Sequence, residues 1–133
     1  MSTRTVLVLE DNDIIREGTA VVLRREGYKV VGFADGKEAL DYCRSNKPDV
    51  ILLDMIIPPP GWDGWQFLDK RRADPALASV PVILTTGLDV ACKEWATYLG
   101  ASALLRKPVD GEPLLAEVRR CLREHNPSRN PDK

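Results

Sequence analysis

Apolar residues occur along this chain in short runs set off by polar breaks, and the runs differ in period. Val50, Ile51, Leu52 and Leu53 form an unalternated block bounded by Asp49 and Asp54, the pattern of a central strand covered on both faces. Thr5 to Leu9, Tyr28 to Phe33, Val80 to Thr85 and Ala101 to Leu105 read as further strands, with Pro81 tolerated near the start of its run. Between them the period becomes helical. Asn12 or Asp13 can cap a first helix in which Ile14, Ile15, Gly18, Val21 and Val22 recur until Gly27. The turn at Asp35-Gly36 opens a second helix with Ala39, Leu40 and Cys43 on its buried stripe, closed by Lys47-Pro48. Pro58, Pro59 and Pro60 with Gly61 predict a stiff, non-helical loop. Asp63 caps a third helix carrying Trp65, Phe67 and Leu68, which Asp74-Pro75 breaks. A fourth runs from about Asp89 to Leu99 and stops at Gly100; a fifth buries Leu114, Leu115, Val118, Cys121 and Leu122. Five strands alternating with five helices predict an α/β fold, a doubly wound parallel sheet with helices on both faces.

Such a sheet places the carboxyl ends of its strands along one edge, where ligands and chemistry gather. Glu10 and Asp11 follow the first strand, Asp54 ends the third, Thr86 follows the fourth and Lys107 the fifth. Each has an ordinary explanation alone, such as an Asp capping a turn; their convergence on one edge does not. Two unit charges about 4 Å apart at an effective dielectric of roughly 20 repel by on the order of 4 kcal/mol, so clustered carboxylates call for a cation. With no His or Cys nearby, a hard divalent ion such as Mg²⁺ fits better than zinc. Lys107 adds a positive charge and Thr86 a hydroxyl donor. The group that benefits from these around a nucleophilic Asp54 is a phosphoryl group.

Composition narrows the classes. A length of 133 residues suits one domain, read as 4–124 with a polar tail at 125–133, without an internal repeat or an appended DNA-binding module. The net charge of -1 and pI near 5.9 give no hint of nucleic-acid or anionic-membrane binding, and no apolar run reaches spanning length. Cys43, Cys92 and Cys121 lack disulfide or metal-ligand spacing and read as reduced core thiols in a cytoplasmic protein. His125, the only histidine, lies in the tail and is a poor catalytic candidate.

At this point the residues resemble the receiver domains of two-component response regulators. The likeness covers about residues 4–124 through VLVLED, DVILLDM with Pro58 after it, WDG, PVILTTG and GASALLRKP. It implies a flavodoxin-like three-layer fold with strand order 2-1-3-4-5, and a bacterial signalling module that catalyses only its own phosphorylation and dephosphorylation. By that resemblance Asp54 accepts a phosphoryl group from a sensor histidine kinase. Asp11 binds Mg²⁺ directly, Glu10 through water, and Ile56 through its backbone carbonyl. Thr86 binds the phosphoryl oxygen, Lys107 pairs with it, and the Lys107-Pro108 bond is cis. Output is expected from a stand-alone module through a protein target on the face of the fourth helix, fifth strand and fifth helix, with no direct nucleic-acid or membrane partner. The alternative is a phosphorelay intermediate or sink exchanging with a histidine phosphotransfer protein.

The chain also departs from the family pattern. Glu10 replaces the commoner Asp, and the stretch from Pro58 to Asp63 is longer by what looks like two prolines. Leu104 stands where similar domains often carry a switching aromatic, and Val109 where Phe often follows Lys-Pro. Trp95 is either a substitute partner-sensing aromatic or core. Ile56 and Leu88 flank the path of an attacking water without polar side chains, which predicts slow self-dephosphorylation. Among competing classes, a flavin binder would need phosphate-holding donors where Glu10 and Asp11 stand. An Asp-nucleophile phosphohydrolase would want a second acid where Ile56 stands.

Overall fold

In the computed structural model, residues 3–55, 64–87, 96–97 and 100–125 are described. The strands are β1 (Thr5–Leu9), β2 (Lys29–Phe33), β3 (Val50–Asp54), β4 (Val82–Thr86) and β5 (Ala103–Arg106). They form one sheet in the order β2-β1-β3-β4-β5, every neighbouring pair parallel. The helices are α1 (Asp13–Arg25), α2 (Gly36–Ser45), α3 (Gly64–Arg72), the single turn α4 (Pro75–Ala78) and α5 (Gly111–His125).

Strand alternation splits the core into two layers. Leu7, Leu9, Ile51, Leu53, Val82 and Leu84 face α2 and α3, where Ala39, Leu40, Cys43 and Phe67 pack on them. Val6, Val8, Val30, Val50, Leu52 and Ile83 face α1 and α5 and meet Ala20, Leu23, Leu114 and Val118. β3 and β4 are buried at every residue, which is why they read as unbroken apolar runs.

Local chemistry fixes the element ends. Asn12 caps α1 by accepting from the Ile15 N–H at 2.9 Å. Asp35 caps α2 through the Lys37 N–H, and Asp74 caps α4 with Pro75 in its first turn. Gly27, at φ +93, takes the left-handed conformation just past α1.

Several expectations shift: β2 starts at Lys29 rather than Tyr28, and β4 spans Val82–Thr86 rather than 80–85. The apolar positions of α1 do not all face inward: Ala20 and Leu23 are buried, whereas Ile14 is 85% exposed and Ile15 and Val21 are also exposed. The first turn of α1 stands at the end of β1, where the sheet gives it nothing to cover. After Asp74-Pro75 the chain makes the extra turn α4 before β4. β5 spans Ala103–Arg106 rather than 101–105, and as an edge strand it is only half-buried. α5 continues to His125, one residue into the stretch read as tail. The helix expected at 89–99 lies outside the described residues except for Ala96 and Thr97, which are helical. Also outside them are the proline loop, the Asp63 cap, Ile56, Leu88, Cys92 and Trp95. Cys43 and Cys121 are buried, as expected of core thiols.

Candidate phosphoryl and metal site

Parallel pairing brings β1, β3, β4 and β5 to a common edge, and side chains separated by up to 97 positions meet there. Asp54 ends β3 opposite Thr85 and is 3% exposed. Glu10 follows β1, its N–H donating to the Phe33 carbonyl at 3.0 Å, so its backbone extends the β1–β2 ladder by one bond. Lys107 follows β5, and its N–H donates to the Thr86 carbonyl at 2.9 Å. The Lys107-Pro108 peptide is cis, as expected.

The Lys107 ammonium lies 2.6 Å from Glu10 Oε1 and 3.2 Å from Asp54 Oδ2. Glu10 Oε2 accepts from the Asn12 N–H at 3.2 Å. Burial alone would raise the Glu10 pKa, yet the hydrogen bond and charge of Lys107, the neighbouring Asp54 side chain and the Asn12 N–H together leave it lowered. Lys107 mirrors this: burial lowers its pKa, and the two carboxylates more than offset that and raise it. The pair is therefore charged near neutral pH.

Glu10, Asp11 and Asp54 each offer a carboxylate oxygen, and these oxygens lie within 4.8 Å of one another. An all-oxygen, triply anionic donor set suits a hard divalent cation that keeps several waters, as Mg²⁺ does. These three residues would hold it. The expected Ile56 carbonyl lies outside the described residues.

A cleft of about 350 Å³ opens over this cluster, lined by Glu10, Asp11, Ile15, Asp54, Gly87 and Lys107 among others. Thr86, fully buried, is adjacent to the cleft through Gly87 but is not part of its lining. Leu104 is half-buried on β5 opposite Leu84 and packs against the α2/α3 side of the core.

Two residues at the site went unread in the sequence. Asn12 serves Glu10 through its backbone N–H, which no residue type signals. Arg16 donates to the Glu10 carbonyl at 2.8 Å. Its clue was Gly32 inside a strand pattern, which marks a close approach by another group.

The chain matches the model of the response regulator receiver domain over residues 6–119. It is 36% identical over 131 residues to the transcriptional regulatory protein CseB of Streptomyces avermitilis, covering 96% of this chain and 52% of CseB. The chain thus spans about half the length of that relative. It is 30% identical to PilH of Pseudomonas aeruginosa, covering 88% of this chain and 96% of PilH. The receiver domain of a sensor histidine kinase from the same organism superposes with a TM-score of 0.81 at 27% identity, covering 91% of this chain and 98% of that one. That structure has a magnesium ion coordinated in its active-site cleft. The match over most of its length makes this chain a member of the response regulator receiver domain family.

Proposed function

We propose that Asp54 accepts a phosphoryl group from a phosphohistidine in a Mg²⁺-dependent reaction, and that the modified domain signals by binding another protein. The observation that carries this reading is the Asp54 carboxylate, buried at the sheet edge, 3.2 Å from the Lys107 ammonium and clustered with Glu10 and Asp11. An Asp54 oxygen attacks phosphorus in line. A P–O bond forms, the P–N bond breaks, and its electrons return to the imidazole, which takes up a proton. Asp11, Asp54 and Glu10 would hold the Mg²⁺, which would supply charge neutralisation for the transferring group. Lys107 holds the nucleophile before reaction and pairs with the phosphoryl oxygen after it. The Thr86 hydroxyl turns to another of those oxygens.

The donor is a protein that presents its phosphohistidine to the cleft, and Ile15 on the cleft wall, with the strongly exposed Ile14 next to it in the chain, offers such a partner apolar surface. For output, the added charge of roughly -1.5 to -2 acts on Thr86, whose carbonyl bond to the Lys107 N–H ties β4 to β5. A cleft of about 520 Å³ between β5 and α5, lined in part by Thr97, Leu104, Pro113, Ala116 and Arg120, offers a downstream protein a place on the expected face. Leu104 moves with β5 in place of an aromatic switch. Exchange with a histidine phosphotransfer protein uses the same Asp54 chemistry and is the second reading.

The test is intact mass before and after acetyl phosphate, with Mg²⁺ or chelator, on wild type and Asp54→Asn. One phosphoryl group that requires both Mg²⁺ and Asp54 is expected. A folded wild type that binds Mg²⁺ and gains no mass would overturn the reading.

A further inference from the structure

Asp11 and Glu10 sit in a loop between β1 and α1, and loops place side chains less firmly than strands do. Here the loop is tied from a third element. The Glu10 backbone is held on both sides: its N–H, in the Leu9–Glu10 peptide, by the Phe33 carbonyl at 3.0 Å, and its carbonyl, in the Glu10–Asp11 peptide, by Arg16 Nη1 at 2.8 Å. The other terminal nitrogen, Nη2, reaches Asp13 Oδ1 at 2.5 Å, so the guanidinium fork spans the loop and the first turn of α1. Asn12 completes the turn, its carbonyl accepting the Arg16 N–H at 2.9 Å.

The Arg16 stem reaches the loop by crossing the end of β2 at Gly32. A Cβ at that position would lie 3.2 Å from Arg16 Cδ and 3.4 Å from Cγ, closer than ordinary van der Waals contact. Gly32 is in register with Val8, which shares its face of the sheet with Val30, toward α1. A side chain at position 32 would therefore push the arginine off its path without entering the acidic cluster.

We propose that Arg16, seated over Gly32, is a positioning residue for the Mg²⁺ site: it fixes the Glu10–Asp11 peptide and so the direction in which Asp11 presents its carboxylate. The inference rests on the Mg²⁺-dependent reading above. Arg16 touches neither Asp54 nor the reacting phosphorus in that reading; it acts through the loop. Partners that orient metal ligands are commonly worth about tenfold or more in metal affinity.

The experiment titrates Mg²⁺ alone into wild type, Arg16→Ala, Gly32→Val and the control Arg24→Ala by calorimetry, after circular dichroism has shown each to be folded. Arg24 is an exposed arginine on the same helix, paired with Glu17. The expected result is a Kd for Mg²⁺ raised about tenfold in Arg16→Ala and in Gly32→Val, with Arg24→Ala unchanged. With acetyl phosphate, the half-saturating Mg²⁺ concentration should rise in parallel while the rate at saturating Mg²⁺ stays within about twofold, since Arg16 does not act on the reacting group. Folded Arg16→Ala and Gly32→Val proteins that bind Mg²⁺ within about twofold of wild type overturn the inference. A loss in Arg16→Ala alone overturns it too, because it assigns the effect to charge and not to placement. Wild-type protein that binds Mg²⁺ while gaining no phosphoryl group overturns the proposed function and leaves this inference standing.

Discussion

Lys107 reaches two carboxylates at once, and removing its ammonium leaves Glu10, Asp11 and Asp54 to repel one another. Its side chain is 25% exposed, so water screens part of that repulsion. Lys107→Ala should lower metal-free stability by about 1–3 kcal/mol, below the figure for a fully buried pair. Mg²⁺ can replace the lost charge, so millimolar Mg²⁺ should restore much of the loss. Urea denaturation with and without Mg²⁺ checks this, and an equal loss in both conditions would show that the lysine acts by packing. The thiols behave differently because nothing cationic outweighs their burial. Burial first, and then the charge of Asp74, pushes Cys43 up to about 11; burial likewise pushes Cys121 up to about 11. The thiolate fraction near pH 8 is then on the order of 0.1%, so iodoacetamide, followed by peptide mapping, should label Cys43 and Cys121 slowly in folded protein and quickly in unfolded protein. Both values lie above the usual 9.0. Their contribution to stability is therefore full below about pH 9 and falls as pH rises through about 11.

Among the elements, α3 ends in Lys70, Arg71 and Arg72, which in sequence look like a solvated basic turn. Arg71 is instead 6% exposed, and its Nη2 donates to the Ala78 carbonyl at 3.0 Å and to the Val80 carbonyl. It clamps the exit of α4 to the entrance of β4, the strand that carries Thr86. Arg71→Met should cost on the order of 2–3 kcal/mol, because two carbonyls lose a charged donor; a urea-derived loss under about 0.5 kcal/mol would make the clamp ornamental. No periodicity reveals such a residue, since its burial depends on carbonyls supplied by a later segment. The same limit explains α1. Its helical spacing was legible, but which face met the sheet was not, because Ile14 and Ile15 fall on the turn that overhangs the strand ends. Strands were easier. β1, β3 and β4 are enclosed by both layers, so burial itself wrote their apolar runs, whereas the edge strand β5 is half-buried; the starts of β4 and β5 each fall two residues later than expected.

For the whole molecule, parallel topology made the site legible: once the strands were placed, their carboxyl ends had to share an edge, and Glu10, Asp11, Asp54 and Lys107 do meet there. What topology did not disclose is how a partner approaches. Asp54 is 3% exposed, so in the proposed reaction a phosphohistidine has to enter the cleft over its rim, and Ile14, at 85% exposure and next in sequence to rim residue Ile15, is the most exposed large apolar side chain among the described residues. A small donor needs only the cleft; a protein donor must also cover the rim and gains from burying Ile14 there. Placing a charge at that spot should separate the two donors. Ile14→Asp should accept phosphate from acetyl phosphate within about twofold of the wild-type rate, while transfer from an autophosphorylated sensor kinase, chosen as the fastest donor to wild type from a panel, should slow by about tenfold, the equivalent of roughly 1.4 kcal/mol of binding. Equal slowing with both donors would mean that the substitution disturbs the neighbouring acidic loop. Unchanged transfer from the kinase would move the docking surface off α1 and leave the partner to approach from the side of β5 and α5.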